Sequence, residues 1–494
     1  MFPRLACSAL APDIDNLDAR DIDVATNGLR RLRPDLSAGA PVWGWQKAAL
    51  LILPLVAIVA VALAPEQAIF ALTAVLVLPF FCVVALRTAA LWYAATNTPR
   101  REISPAYNDD ARARDLPRYS VLVPIFDEAD VVPDLIEALT AIDYPPEKLE
   151  ILIILESIDR KTRAAMAKAV LPGHIKAIVV PDGHPRTKPR ALNFALSRAT
   201  GELVVVYDAE DVPEPDQLRK AARELASHPD VACLQARLNV LNDRETWLTR
   251  QFAIEYTALF DCLLPTFERL GLPVPLGGTS NHFRRAALDG AGGWDPFNVT
   301  EDADLGIRLA RQSQAVRVLA STTWEEAPGT FNSWLKQRTR WLKGWMQTYL
   351  VHMRNPAETA RDLGWLRFLG LQVLMGGLIL STLVHPWFYI VAITEAVYGP
   401  LRTLLNHHPL SDLVTALGIV NLMLGYASGV ALGCVAVVGR GRAGLAVWAL
   451  LMPVYWLLIS LAAYRALGQL VTAPYRWEKT QHRPRASFAP EAKR

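Results

Sequence analysis

Two blocks of apolar sequence, one near each end of the chain, constrain its fold more than any other feature. The first block has apolar runs over 48–64 and 68–86, separated by Pro65-Glu66-Gln67. The later runs cover 365–394, 413–438 and 443–467. Each run is long enough to cross the hydrocarbon core of a bilayer as a helix, so the sequence predicts a membrane protein with a polar segment between two groups of spanning helices.

Basic residues beside the apolar runs indicate the orientation. Basic residues are retained on the cytoplasmic side of a membrane, so the N-terminal segment, the central segment and the tail are all expected in the cytoplasm, below a bacterial inner membrane crossed several times. The residues concerned are Arg30, Arg31, Arg33 and Lys47 before the first run, Arg87, Arg100 and Arg101 after the second, and Arg465, Arg476, Lys479, Arg483 and Arg485 in the tail.

This orientation requires an even number of crossings. Five apolar runs would leave the tail outside, so about six crossings are expected, with the extra one hidden where His385-Pro386 or Pro453 interrupts a run. The composition divides the chain into segments that follow this pattern. They are a cytosolic N-terminal segment (1–46), two transmembrane helices (47–96), a central domain (97–350), an interfacial helix (351–370), a C-terminal transmembrane region (371–470) and a cytosolic tail (471–494).

Charge and cysteine content exclude some classes of protein. The formal net charge is +3 over 494 residues, which gives no reason to expect a nucleic-acid partner. The five cysteines are scattered without a C-x-x-C pair, so neither a structural zinc site nor a disulfide framework is indicated.

The central segment alternates short β-branched runs with longer helical patterns between about residues 117 and 344. This alternation predicts an α/β domain built on a mostly parallel sheet covered by helices. The strands are expected at 119–123, 151–155, 175–180 and 203–207. Because ligands bind at the carboxyl ends of such strands, polar side chains that follow a strand are candidates for the site.

Acidic residues follow the strand at 203–207. Asp208 and Glu210 lie at alternate positions, and oxygen ligands of this kind can hold Mg²⁺ or Mn²⁺ beside substrate phosphates. Asp211 could support the metal indirectly. The alternative is that these acids form an ordinary structural turn. The ammonium group of Lys188 could neutralise a diphosphate, or it could simply be a solvated surface lysine.

Two further motifs lie later in the domain. Thr300-Glu301-Asp302 precedes an amphipathic helix, where Thr300 could cap the helix and Asp302 could act as a general base. Gln337-Arg-Thr-Arg340-Trp341 lies on a helix with other aromatic residues, which on spacing alone suits an aromatic belt at a membrane interface.

The order of these motifs, Asp-Ala-Glu-Asp, then Thr-Glu-Asp, then Gln-x-x-Arg-Trp, between two membrane blocks resembles the family 2 glycosyltransferases of the cellulose-synthase and hyaluronan-synthase type. The Asp-Ala-Glu-Asp and Lys-Pro-Arg-Ala-Leu-Asn forms resemble cellulose-like and mixed-linkage β-glucan synthases more than the others. The resemblance implies a cytosolic GT-A-type domain inserted between N-terminal and C-terminal transmembrane helices.

The resemblance also implies roles for individual residues. The donor nucleotide and diphosphate are expected to contact Asp127, Glu128, Glu156, Asp159, Lys188, Asp208, Gln337 and Arg340. The acceptor is expected to contact Trp341, which would stack on its terminal sugar, and Gly278, Thr279, Ser280 and Glu301. Asp302 is the expected catalytic base, and the metal ligands are Asp208 and Glu210. The segment from Ala473 to Thr480 is either a lid over the donor or an interfacial anchor.

The implied function is an inverting, processive transferase that uses UDP-glucose to extend a β-linked glucan and passes it through the membrane. Its expected partners are the UDP-sugar, the growing polysaccharide, the lipid bilayer and accessory or periplasmic export subunits. Two alternatives stay open at this point. One is a non-processive enzyme that adds a single sugar to a lipid, and the other is a membrane scaffold that keeps the fold without turnover.

Overall fold

A computed structural model describes residues 19–40, 42–96, 116–405, 409–480 and 482–484. Arg100, Arg101 and Arg485, which contributed to the predicted orientation, lie outside these residues.

An eight-stranded mixed sheet forms the centre of the described chain, with the order β3-β2-β1-β4-β7-β6-β8-β5. The strands are β1 (Tyr119–Ile125), β2 (Leu149–Glu156), β3 (Ile175–Val180), β4 (Leu203–Val206), β5 (Val212–Pro213), β6 (Val231–Val240), β7 (Asn281–Arg284) and β8 (Ala315–Glu325). The four expected strands are β1 to β4, each within three residues of its predicted ends. They pair in parallel, as do β6 and β8, whereas β7 is antiparallel to both β4 and β6, and β5 is antiparallel to β8.

Helices cover the sheet and continue into the apolar blocks. Before the sheet lie α1 (Ala19–Leu32), α2 (Gly44–Leu63) and α3 (Pro65–Thr96). Within the domain lie α4 (Val132–Thr140), α5 (Arg160–Met166), α6 (Lys188–Leu196), α7 (Gln217–Ser227), α8 (Trp247–Ala258), α9 (Leu264–Arg269), α10 (Arg285–Gly290), α11 (Glu301–Arg311) and α12 (Phe331–His352). Then follow α13 (Pro356–Leu363), α14 (Trp365–Leu371), α15 (Gly377–Leu405), α16 (Pro409–Gly439) and α17 (Met452–Thr472).

Alternation along the central strands explains why both faces of the sheet need helices. Val121 and Val123 of β1 pack with Leu135 of α4 on one face, whereas Leu122 between them packs with Phe194 of α6 on the other. All of these side chains are buried, which is the pattern expected of strands covered on both sides. The packing fixes the carboxyl ends of the parallel strands along one edge.

The N-terminal segment packs on the domain, which the sequence did not indicate. Asn193 on α6 donates to the carbonyl of Ala25 in α1 at 3.1 Å. Asp295 accepts from the backbone N–H of Ala38 at 2.6 Å. The Arg354 guanidinium donates to backbone carbonyls at both ends of the 34–40 segment, at 2.8–3.2 Å. These contacts make residues 19–40 part of the central domain's surface.

Five helical segments among the described residues are long and apolar enough to cross a membrane. They are Gly44–Leu63, Phe70–Thr96, Trp365–Ile390, Asp412–Gly439 and Ala443–Thr472. The first two of these helices are separated at Ala64, and not over Pro65-Glu66-Gln67, because α3 already begins at Pro65. Arg87 was expected to flank the second span but lies inside it, where its guanidinium is 5.2 Å from the ring centre of Trp456.

Contacts with the central domain mark one end of each of the first four apolar segments. Gln46 at the start of α2 donates to Leu350, and Arg269 of α9 lies over the ring of Tyr93 near the end of α3. Near the start of α14, Arg367 donates to Gly271 at 3.1 Å. Arg440, just after α16, pairs with Asp261. The first and third segments therefore begin at the domain, and the second and fourth end at it. This is the order expected if successive segments cross a membrane in opposite directions.

The fifth segment differs because both of its ends contact the domain. Arg442, just before it, forms an ion pair with Asp243 at 2.8 Å. At the other end, Lys343 of α12 donates to Gln469 and to the carbonyl of Ala473, both at 3.2 Å. The segment starts as a 3₁₀ helix, Ala443–Leu451, and becomes α-helical at Met452, so the predicted break lies at Pro453. The break predicted at Pro386 is wrong, since α15 runs through it.

Candidate active site

The strand order brings four loops to one edge of the sheet. β1 and β4 run in parallel and are followed by residues 126–128 and 207–211, respectively. β7 is antiparallel to β4, so the loop before it, residues 277–280, lies at the same edge. Because β6 and β8 are parallel neighbours beyond β7, Glu325 at the end of β8 faces this edge as well. Segments far apart in sequence therefore form one pocket.

Lys188 lies at the centre of this pocket. Its Nζ donates to Asp208 Oδ1 at 2.6 Å and to the carbonyl oxygen of Gly278 at 2.8 Å. Burial opposes the lysine's charge, but the carboxylates of Asp208, Glu301 and Asp302 outweigh it and raise its pKa. A surface lysine would be solvated on all sides, so the solvated alternative for Lys188 is wrong.

Asp302 and Glu301 begin α11 in the same pocket. A Cβ on Gly278, whose φ is +89°, would lie 3.1 Å from Asp302 Oδ2, so the glycine allows close approach of the backbone to this carboxylate. Burial raises the pKa of Asp302, and burial together with the neighbouring Asp302 charge raises the pKa of Glu301 to about 8. Thr300 makes no side-chain cap hydrogen bond to α11. Glu301 and Asp302 therefore lie in a buried site that disfavours their ionised forms.

The acidic turn after β4 divides into two kinds of carboxylate. Asp211 is 2% exposed and accepts from the hydroxyl of Thr279 and from the backbone N–H of Asp208 at 2.8 Å, so it holds the turn. Asp208 and Glu210 are half-buried and face the pocket. Burial and the Asp208 charge raise the pKa of Glu210 to about 8, and burial and Glu210 raise that of Glu325 to about 8. This excess of negative charge and the oxygen donors of Asp208 and Glu210 fit a divalent cation.

The acids predicted to contact the donor nucleotide lie in different surroundings from one another. Asp159 is the N-cap of α5: it accepts from Thr162 N–H at 3.1 Å and from the backbone N–H of Asp127, and these bonds outweigh burial and lower its pKa. Glu156 pairs with Arg190 at 2.9 Å. Glu128 remains in the pocket, where burial raises its pKa to about 7. Its backbone N–H is held by Thr162, so the Asp159 cap also positions Glu128.

Thr279 and Ser280 turn into the protein. Both side chains are at most 1% exposed, and the Ser280 hydroxyl bonds to Thr323 at 2.7 Å. Ser280 adopts φ of +56°, and its backbone N–H donates to the carbonyl oxygen of Val206 at 2.7 Å. The structure therefore brings only Gly278 of this predicted trio beside Asp302, and the other two fix the loop.

Helix α12 closes the pocket opposite the sheet. Arg340 faces the carboxylates of Glu301, Asp208 and Asp302, although burial lowers its pKa. Arg340 Nε and Gln337 Oε1 are buried atoms without a hydrogen-bond partner among the described residues. Trp341 follows on the same helix and lies nearly parallel to Tyr256, with ring centres 6.0 Å apart. Unsatisfied buried polar atoms are costly, and a ligand with both donors and acceptors would satisfy them.

The tail after α17 lies across the pocket, and most of its contacts were not foreseen. Arg340 lies over the ring of Trp477 at 4.5 Å, and Lys479 Nζ is 3.3 Å from Glu128. His482 Nε2 is 3.2 Å from Glu210. Arg483 binds Glu326 through its N–H at 2.9 Å and through its guanidinium. Histidine and arginine in a basic tail have many other uses, so sequence alone gave no signal for these pairs.

A family model described as "Glycosyltransferase like family 2" matches residues 117–344. This range contains the sheet, the acidic turn, Glu301, Asp302, Gln337 and Arg340. The match supports a family 2 glycosyltransferase domain with the GT-A-like α/β fold over this segment of the chain.

Individual proteins extend this finding. The chain is 29% identical over 283 residues to a β-monoglucosyldiacylglycerol synthase of Synechocystis, covering 56% of this chain and 58% of that protein. It is 27% identical over 254 residues to glucomannan 4-β-mannosyltransferase 2 of Arabidopsis thaliana, covering 50% and 48%. It thus spans less than two thirds of these curated relatives. A mannosyltransferase of Pyrobaculum calidifontis, solved with GDP-Man and Mn²⁺, shares the fold with a TM-score of 0.50 at 18% identity, covering 81% of this chain and 99% of that one.

Proposed function

We propose that this protein is a membrane-bound inverting glycosyltransferase that transfers glucose from UDP-glucose to a β-linked glycan and extends that glycan processively. The observation that carries the proposal is the composition of the pocket. It contains the carboxylate of Asp302, the cationic groups of Lys188 and Arg340, and two buried atoms of α12 without a hydrogen-bond partner among the described residues, Arg340 Nε and Gln337 Oε1. A nucleoside diphosphate sugar has the negative charge that Arg340 and Lys188 would bind and the hydroxyl groups that Gln337 would meet.

In the proposed reaction an acceptor hydroxyl oxygen forms a bond to the anomeric carbon of the donor, and the bond from that carbon to the diphosphate oxygen breaks. Asp302 accepts the hydroxyl proton, and its raised pKa makes it a stronger base than an exposed aspartate. Arg340 and Lys188 stabilise the negative charge that grows on the departing diphosphate. A divalent cation held by Asp208 and Glu210 would supply further neutralisation of that charge.

Chain extension is proposed from Trp341. Its ring lies nearly parallel to that of Tyr256, and Tyr256 hydrogen-bonds Glu325 at the pocket, so a sugar held on the indole would lie beside the pocket. Indole faces bind the apolar C–H face of a sugar while allowing it to slide, which suits repeated addition. The proposed membrane arrangement has four crossings, and the fifth apolar segment, Ala443–Thr472, starts and ends on the cytoplasmic side because both of its ends contact the domain. This arrangement keeps the tail in the cytoplasm with an even number of crossings.

A second candidate is single transfer of glucose to a diacylglycerol lipid. The Synechocystis relative carries that activity in its name. Packing between the membrane helices also favours it: the rings of Tyr426 and Trp456 are nearly parallel with centres 5.6 Å apart, and His385 packs edge-on against both. These three aromatic side chains occupy part of the space between α15, α16 and α17 through which an exported glycan would pass.

Product size separates the two candidates. The purified protein in vesicles would receive labelled UDP-glucose with Mg²⁺ or Mn²⁺, and the products would be divided by gel filtration and by extraction into organic solvent. A large, water-soluble labelled product supports processive synthesis, and label in the lipid phase supports single transfer. If no common UDP-sugar releases UDP, the transferase proposal fails. Asp302→Asn serves as the inactive control in each assay.

A further inference from the structure

A cavity lies between the central domain and the start of the third apolar segment. Its volume is about 300 Å³, and its wall combines residues 271–274 after α9, the end of α11, the start of β8 and the side chain of Arg367 on α14. Most of the wall is apolar, with Leu272, Val274 and Val316 among its residues. None of the lining residues belongs to the proposed catalytic pocket. We propose that this cavity binds the headgroup of an anionic glycerophospholipid through its phosphate.

The cavity lies where the domain meets the apolar segments. Arg367 is on α14, where Trp365 and Leu366 are each 68% exposed, as expected of side chains that contact lipid at an interface. This helix is also the start of the third apolar segment. On the other side of the cavity, α9 contacts the end of the second apolar segment through Arg269, which lies over the ring of Tyr93. A lipid headgroup in the leaflet on the domain side would therefore lie at the level of the cavity.

The one carboxylate in the wall is already paired. Glu268 accepts from Arg317 Nε and from the backbone N–H of Val318, both at 2.8 Å. Arg317 in turn pairs with Glu224 at 3.0 Å. The ammonium group of a zwitterionic headgroup would therefore find no unpaired carboxylate among the residues that line the cavity.

Arg367 is the cation in the wall that has no acidic partner. It forms no ion pair among the described residues, and its side chain makes one hydrogen bond there, from Nε to the carbonyl oxygen of Gly271 at 3.1 Å. The N–H groups of the two terminal nitrogens are left for a ligand, and a guanidinium binds phosphate oxygens through such paired donors. Basic pockets beside membrane helices bind lipid headgroups in this way. The glycerol and the first acyl carbons would meet the apolar part of the wall.

The test uses the full-length protein in detergent and two lipids. Phosphatidylglycerol has an anionic headgroup, whereas phosphatidylcholine has the same phosphate without a net charge. Native mass spectrometry measures how many lipids of each kind bind and how tightly. We expect one phosphatidylglycerol to bind about tenfold more tightly than phosphatidylcholine, and Arg367→Gln to abolish that difference, since a hydrogen bond to a charged group contributes about this much. No sugar nucleotide is present, so the outcome is independent of the proposed transfer reaction.

Two further variants serve as controls. Arg361→Gln removes an exposed arginine from α13 and lowers the net charge equally without touching the cavity, so lipid binding should stay that of the wild type. Arg367→Lys keeps the positive charge and should keep part of the preference for phosphatidylglycerol. The thermal transition without lipid should be unchanged in all three variants, which separates loss of binding from loss of folding.

Three outcomes would overturn the proposal. The first is equal affinity of the wild-type protein for the two lipids. The second is an equal loss of phosphatidylglycerol binding in Arg367→Gln and Arg361→Gln, which would show a general effect of charge. The third is displacement of phosphatidylglycerol by inorganic phosphate at the same concentration, because the cavity would then be a site for small anions and its apolar wall would contribute nothing.

Discussion

Two carboxylates on helix α11, only two residues apart, lie in opposite electrostatic surroundings. Asp304 is completely buried and accepts from Arg308 at 2.7 Å and from His352 at 3.0 Å. These partners outweigh burial and lower its pKa. Asp302 faces the pocket, where burial raises its pKa despite Lys188 and Arg340.

The difference shows how the same helix serves the fold and the chemistry. Arg308 also donates to the carbonyls of Ala291 and Gly293, so the Asp304 ion pair ties α11 to the loop before it. That anchoring holds Asp302 in place two residues away. A buried acid whose charge is met by fixed partners stabilises the structure, whereas one left with a perturbed pKa in a pocket is available to a substrate.

Removing the carboxylate of Asp302 should produce the largest effect. Asp302→Asn keeps the shape of the side chain but cannot accept the hydroxyl proton, so we expect UDP release and sugar transfer to fall by about 10²–10⁴-fold. The thermal transition should stay near that of the wild type. The matched control is Asp289→Asn, at an exposed acid paired with Arg285. Full activity in Asp302→Asn would show that the proposed base lies elsewhere.

Removing Asp304 should act on stability instead. Asp304→Ala leaves Arg308 and His352 buried without their partner, and breaking such a pair costs about 3–5 kcal/mol. Denaturation in detergent would measure the change in the free energy of unfolding. Replacing both residues, with Asp304→Leu and Arg308→Met, should recover part of the loss because no charge is then left unpaired. If Asp304→Ala lost transfer activity while its denaturation curve stayed unchanged, Asp304 would serve the reaction and not the stability of the fold, contrary to this prediction.

Helix α12 offers a third way to disturb the same region. A Cβ on Gly344 would lie 2.4–2.8 Å from the side chain of Thr300, which precedes α11. We expect Gly344→Ala to displace the start of α11, to destabilise the protein by about 1–3 kcal/mol and to lower transfer as well. Gly290→Ala is the control, because a Cβ there meets nothing within 4 Å. If Gly344→Ala and Gly290→Ala have equal stability and equal transfer activity, Thr300 can move aside without displacing α11, and the prediction is wrong.

The smallest expected effect is the dependence on pH, which should differ between the activity that needs Asp302 and the stability that needs Asp304. Burial raises the pKa of Asp302 above the ordinary aspartate value, so kcat/KM should increase with pH as this carboxyl loses its proton, by up to about tenfold per pH unit. The pKa of the neighbouring Glu301 is raised to about 8. Glu301→Gln removes the neighbouring charge and should move this rise to lower pH. Asp304 has a lowered pKa, so its contribution to stability is full above the ordinary aspartate range and is lost only as pH falls below about 4. A flat activity profile across neutral pH would contradict the raised pKa values.

Much of the parallel half of the sheet could be predicted from local pattern. β1 to β4 are apolar runs bounded by turns, and Asp208, Glu301 and Asp302 directly follow a strand or begin a helix. The other half was harder. β7 has only four residues and is antiparallel to both neighbours, and its place beside β4 depends on long-range pairing that no local period reports.

The sequence alone determined the membrane blocks, the α/β class of the central domain and the family 2 motifs, because hydrophobic length, strand period and short motifs are local properties of a chain. Tertiary structure decided which polar residues act together. In the folded chain Asp159 caps a helix, and Thr279 and Ser280 are buried. Glu156 pairs with Arg190, and His482 lies beside Glu210. These outcomes depend on which segments meet in space, and on whether each buried charge finds its partner there.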